Sequence, residues 1–287
     1  MSAPAQARGT GAVLAACREE GRAALVGYLP VGFPDVPTSL RAMEVLAESG
    51  ADVVEVGMPY TDPVMDGPVI QRAATQALAG GVHVDDVFRA TAAVRDAGAT
   101  PVVMTYWNLV LRRGVERYAT DLAAAGGAGL ITPDLVPDEA GEWIAASDAL
   151  GLDRVFLVAP SSTPERLDRV TASCRGFVYA TATMGVTGAR GVVDSAAADL
   201  VGRVRAVSDV PVCVGVGVST GDQAAEIAGY ADGVIVGSAL VARLLDRDPE
   251  DGLRALGDLT RELADGVRRG QRPDDRRAAT GVVEGSS

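Results

Sequence analysis

Short, continuously apolar runs recur along the chain at Ala24–Tyr28, Val53–Gly57, Val102–Tyr106, Gly129–Thr132, Val155–Val158, Phe177–Thr181, Val212–Gly215 and Gly233–Val236. Runs without polar alternation are the pattern of parallel strands covered on both faces. Between them, apolar residues fall at helical spacing in Ser39–Ser49, Val84–Ala97, Val115–Ala125, Glu139–Leu150, Pro164–Ser173, Ala198–Val207 and Gln223–Gly229. Eight strands alternating with helices predict an α/β fold, and the count of eight favours a closed (β/α)8 barrel over an open doubly wound sheet. An extra N-terminal helix over Gly11–Gly21 offers Ala12, Leu14 and Ala15 to the barrel bottom, and Asp251–Arg269 is the closing helix. A single domain over residues 1–270 is expected, followed by a disordered tail over 271–287, which is rich in Arg, Asp, Gly and Ser without apolar periodicity.

Composition narrows the chemistry. The 287 residues are 48% hydrophobic and carry a formal net charge of -12, enough apolar content for a large core and a field that disfavours nucleic acid and anionic membranes. No apolar run reaches bilayer length and Met1–Gly11 lacks a signal pattern, so a cytoplasmic location is expected. Cys17, Cys174 and Cys213 are too few and too scattered for a disulfide framework or a metal-ligand pattern. All 26 basic residues are arginines. Without lysine there is no Schiff-base aldolase mechanism, no pyridoxal phosphate linked to this chain and no P-loop. The lone histidine, His83, reads as a surface or helix-capping residue, and a histidine-based zinc site is excluded by count.

One carboxylate stands out. Glu55 lies inside the apolar run Val53–Gly57, and alternation puts it on the same face as Val53 and Gly57, towards the lumen and near the carboxyl end of the second strand. Burial there disfavours the charged form and raises the pKa towards that of a working general acid or base. An arginine partner would make it a structural ion pair, but the run offers none. In the loop that follows, Pro59 and Pro63 stiffen the chain ahead of Asp66-Gly67-Pro68; Asp62 competes with Asp66, and spacing alone does not choose between them.

Glycines cluster after the sixth, seventh and eighth strands, in Gly185–Gly188, Gly215–Ser219 and Gly233–Ser238. Such clusters suit a barrel phosphate site built from backbone N–H groups and a helix N-terminus, although each alone is also a tight-turn pattern. Gly215-Val216-Gly217 lacks the third glycine of a dinucleotide fingerprint.

Glu55-Val56-Gly57-Met58-Pro59-Tyr60-Thr61-Asp62-Pro63 with Asp66-Gly67-Pro68 resembles the tryptophan synthase α subunit family. The likeness extends to Tyr28–Asp35, Met104–Asn108, Thr132–Pro137 and the three glycine clusters, over roughly residues 12 to 268, and the Ala- and Arg-rich composition resembles actinobacterial members. It implies a TIM barrel that cleaves indole-3-glycerol phosphate reversibly to indole and glyceraldehyde 3-phosphate without a cofactor in this chain. By the resemblance Glu55 is the acid and base, and Asp66, not Asp62, holds the indole N–H. Gly188, Gly217, Gly237 and Ser238 take the phosphate. Tyr28, Ile131, Tyr179, Val216 and Ile235 line the substrate pocket, and Thr187 belongs to a closing loop. The resemblance also implies a partner, a pyridoxal-phosphate-dependent β subunit in an α2β2 tetramer, met by Pro59, Asp62, Pro63 and Asn108. A stand-alone lyase that releases free indole and a non-catalytic phosphate-binding barrel are the alternatives. This chain departs from the commoner family pattern with Tyr60-Thr61 in place of Phe-Ser, Met65 in place of Ala and Thr183 in place of Arg.

Overall fold

The computed structural model describes residues 9–63, 65–181 and 190–270, with the backbone alone for 190–195. The expected tail over 271–287 lies outside the described residues. Among the described residues, nine parallel strands form one sheet: β1 (Ala24–Pro30), β2 (Val53–Gly57), β3 (Thr100–Met104), β4 (Gly129–Ile131), β5 (Asp153–Val155), β6 (Leu157–Val158), β7 (Val178–Thr181), β8 (Val212–Gly215) and β9 (Gly233–Val236). Their order is β5-β4-β3-β2-β1-β9-β8-β7-β6. The two ends of that order are consecutive in sequence. β5 and β6 are halves of one extended segment, interrupted at Phe156, whose first half pairs with β4 and whose second half pairs with β7. The Phe156 carbonyl accepts from the Tyr179 N–H at 3.1 Å, which joins the two sides and closes the sheet into the expected eight-position barrel.

Alternation of side chains divides the core into two layers. Val26, Val53, Val102, Ile131, Val155, Phe177, Cys213 and Ile235 fill the lumen, while Val54, Val56, Val103, Leu130, Val214 and Val234 face the helices. Both faces of each strand are therefore dry, which is why the strands read as unbroken apolar runs. The N-terminal helix Thr10–Glu19 does plug the barrel bottom, with Leu14 as expected but without Ala12 and Ala15. Thr10, Leu14 and Cys17 are buried whereas Ala12 and Ala15 are exposed. Positions 10, 14 and 17 follow helical spacing, and 12 and 15 fall on the opposite side. Docking is fixed at the helix start, where the buried Asp153 carboxylate accepts from the Thr10 N–H at 2.6 Å and from its hydroxyl at 2.7 Å.

Among the described residues, three α-helices lie outside the expected set: Pro68–Ala79, Trp107–Arg113 and Ser238–Leu244. All three begin directly after the loops that line the barrel mouth, and two are only seven residues long, too short to register a helical period. His83 is the N-cap residue of Val84–Asp96, where its N–H donates to Asp86 Oδ2 at 2.9 Å. Among the described residues, no helix is long and apolar enough to cross a membrane.

Candidate active site

At the carboxyl ends of the strands lies a cavity of about 270 Å³. Its wall includes Tyr28 from β1, Glu55 from β2, Met104 from β3, Leu157 from β6, Tyr179 and Thr181 from β7, Gly215 from β8 and Ile235 from β9. Loop residues Met65, Asp66, Gly217, Gly237 and Ser238 and the helix residue Ile70 complete it. Among these described lining residues there are two acids and no cation.

Glu55 sits above the apolar plug of the lumen with only 1% of its surface exposed, and its Oε1 has no hydrogen-bond partner among the described residues. Burial alone pushes its carboxyl up to about 8, with no cation to offset it. Two residues along the strand, Gly57 leaves room for the Tyr28 ring, and a Cβ there would collide with it. Tyr28 and Tyr179 are themselves held far on the protonated side, chiefly by burial and then by the nearby Glu55 and Asp66 charges, so both present neutral phenols to the cavity.

Asp66 arrives from the loop after β2 and is half-buried at the cavity edge. Its carbonyl accepts from Gln71 Nε2 at 2.8 Å, which ties the loop to the helix Pro68–Ala79. Burial raises the Asp66 carboxyl above the ordinary aspartate range, the same direction as Glu55. Asp62 is exposed and absent from the lining; its Oδ2 accepts from Thr61 Oγ1 at 2.6 Å. Geometry thus separates two aspartates that local sequence does not.

The remaining predicted positions divide. Tyr28, Tyr179, Ile235, Gly217, Gly237 and Ser238 line the cavity. Ile131 is buried in the lumen cluster below it. Val216 is buried but not among the lining residues, although its neighbours Gly215 and Gly217 are. Thr187 and Gly188 lie outside the described residues. Gly217 has φ +76, a backbone conformation that favours glycine, and Ser238 opens a helix with its N-terminus towards the cavity.

The family model for the tryptophan synthase alpha chain matches residues 14–268, a span that contains every strand and every cavity residue described above. The chain belongs to the tryptophan synthase alpha chain family. A tryptophan synthase alpha chain from Mycobacterium marinum is 64% identical over 263 residues, covering 92% of this chain and 96% of the relative. A Mycobacterium tuberculosis tryptophan synthase structure superposes with a TM-score of 0.85 at 62% identity, covering 90% of this chain and 98% of that one. The tryptophan synthase subunit alpha of Legionella pneumophila superposes with a TM-score of 0.81 at 30% identity, covering 90% and 97%.

Four lining residues of this family member were not singled out from sequence: Ile70, Met104, Leu157 and Thr181. Met104 and Leu157 occupy inward-facing strand positions, so the alternation that located Glu55 also reaches them. Ile70 carried no signal, because the helix bearing it was not expected. Of the four positions expected at a partner surface, Pro59, Asp62 and Pro63 lie in the loop after β2, whereas Asn108 lies in the first turn of the helix Trp107–Arg113 that follows β3; Pro59 is buried, Pro63 intermediate, and Asp62 and Asn108 are exposed.

Proposed function

We propose that this chain is the lyase of the tryptophan synthase α reaction, cleaving indole-3-glycerol phosphate reversibly to indole and D-glyceraldehyde 3-phosphate within tryptophan biosynthesis. The observation that supports it most is a buried Glu55, its Oε1 without a hydrogen-bond partner among the described residues, sharing one cavity with the half-buried Asp66 at the carboxyl end of a barrel. With its carboxyl pushed up to about 8, Glu55 is protonated in the free site at neutral pH and donates that proton to indole C3. Positive charge then grows on the ring nitrogen, and the Asp66 carboxylate accepts the indole N–H; the growing charge itself favours the Asp66 anion against the burial that opposes it. The bond between indole C3 and the glycerol carbon breaks, its electron pair returns to the ring, and the Glu55 carboxylate takes the proton of the adjoining hydroxyl as the aldehyde forms. Glu55 ends as it began, protonated.

Gly217, Gly237 and Ser238, with Gly188 carried over from the family, hold the phosphate through backbone N–H groups and the start of Ser238–Leu244, a neutral cradle suited to a lining without cations. Tyr28, Tyr179 and Ile235 flank the indole, and Thr187 belongs to the loop that closes over it. Residues 1–270 act as one catalytic domain with no cofactor of its own. Indole passes to a β subunit that carries pyridoxal phosphate, in an α2β2 assembly in the cytoplasm, with Pro59, Asp62, Pro63 and Asn108 at the junction. Incubating the chain with indole-3-glycerol phosphate, with and without a β subunit, and following indole tests this. Release of indole that rises when the β subunit is added supports the coupled enzyme. Full release without it supports a stand-alone lyase, and none in either case overturns the reading.

A further inference from the structure

Tyr106 follows β3 and is buried to within 6% of its surface, beside the loop that carries Asp66. Its backbone belongs to a rigid frame. The Thr105 N–H donates to the Ile131 carbonyl at 3.2 Å, continuing the strand ladder, and on the other side of Tyr106 the Trp107 N–H donates to Asp134 Oδ1 at 2.9 Å. From this frame the Tyr106 side chain grips the neighbouring loop at two points. Its ring stacks on Tyr60 near the loop's start, with centroids 4.6 Å apart and planes at 25°. Its hydroxyl accepts the Met65 N–H at 3.2 Å, on the residue immediately before Asp66. Tyr60 is held in turn, because its hydroxyl accepts from Asn108 Nδ2 at 2.8 Å.

A loop stiffened at both ends by one side chain presents its last residue in a fixed place. We infer that Tyr106 is a positioning residue for Asp66: it does not touch the reacting atoms but sets where the carboxylate meets the substrate nitrogen. The inference rests on the role given to Asp66 above. A mutation that lets a reacting group drift by about an ångström slows the chemical step far more than it weakens binding. Tyr106 therefore acts on kcat, and only through Asp66.

The test is a double-mutant cycle on indole release from indole-3-glycerol phosphate, with wild type, Tyr106→Phe, Asp66→Asn and the double variant, and circular dichroism to check each fold. Tyr106→Phe keeps the stack and removes the acceptor; kcat falls roughly 10-fold while KM stays within about 2-fold. In the Asp66→Asn background the same hydroxyl loss changes the residual rate less than about 2-fold, because the group it positions is gone. Tyr60→Leu, which removes the stack without touching Tyr106, lowers kcat in the same direction. Near-normal kcat in Tyr106→Phe, or an equal loss in both backgrounds, overturns the inference while leaving the lyase reading intact. A wild-type chain that releases no indole overturns that reading and this inference with it.

Discussion

Tyr28 and Glu55 are register partners on β1 and β2, both project into the cavity, and the Tyr28 ring lies over Gly57, the next inward position on the Glu55 strand. A methyl group at Gly57 therefore displaces the ring that walls the Glu55 carboxylate. Gly57→Ala is expected to lower stability by about 1–3 kcal/mol through overpacking and to reduce kcat at least about 10-fold. Thermal unfolding and indole release check it together; an unchanged rate means that the Tyr28 wall is not needed.

The raised pKa of Glu55 has a signature in stability. Its folded value of about 8 lies above the ordinary 4.5, so between those pH values the folded chain keeps a proton that the unfolded chain has lost. Stability from this group is complete below the lower value and falls as pH rises to the upper one, by at most about 1.4 kcal/mol per pH unit. Glu55→Gln has no such proton. Chemical denaturation from pH 5 to 8 should show the variant gaining stability relative to wild type as pH rises, and parallel curves would contradict the buried carboxyl.

Asp66 lines the cavity and Asp62 does not. Asp66→Asn is expected to cost about 100-fold in kcat, the scale of losing one group that stabilises developing charge, whereas Asp62→Asn changes the uncoupled reaction less than about 3-fold. Side-by-side kinetics of the two variants decide it, and a larger loss at Asp62 reverses the assignment.

How much of this was legible in the sequence depends on what each feature needed. Strand positions were legible because burial on both faces leaves unbroken apolar runs, and Val53–Gly57, Val212–Gly215 and Gly233–Val236 have the bounds expected of them. Glu55 was legible for the same reason, as a charge that breaks such a run. Asp66 against Asp62 was not, because both sit in turn-forming pairs and only the three-dimensional course of the loop turns one inward. Trp107–Arg113 and Ser238–Leu244 were missed for their length, and with the former went the frame around Tyr106. Val216, expected in the pocket from motif likeness, is buried and not among the cavity-lining residues, whereas its neighbours Gly215 and Gly217 are.

Gly217 holds a positive φ of 76° at the cavity wall. Gly217→Ala strains that turn by about 1–2 kcal/mol and crowds the phosphate cradle, so KM should rise at least about 10-fold with a smaller change in kcat. Steady-state kinetics with indole-3-glycerol phosphate check it; an unchanged KM places the phosphate elsewhere.

In the proposed reaction Glu55 moves both protons. Glutamine at that position keeps the size and the neutral form of the side chain but has no proton to give. The most direct measurement is turnover of indole-3-glycerol phosphate by Glu55→Gln at neutral pH, with its fold verified by circular dichroism. A loss of at least about 100-fold with an intact fold is the expected result; near-normal indole release would contradict it.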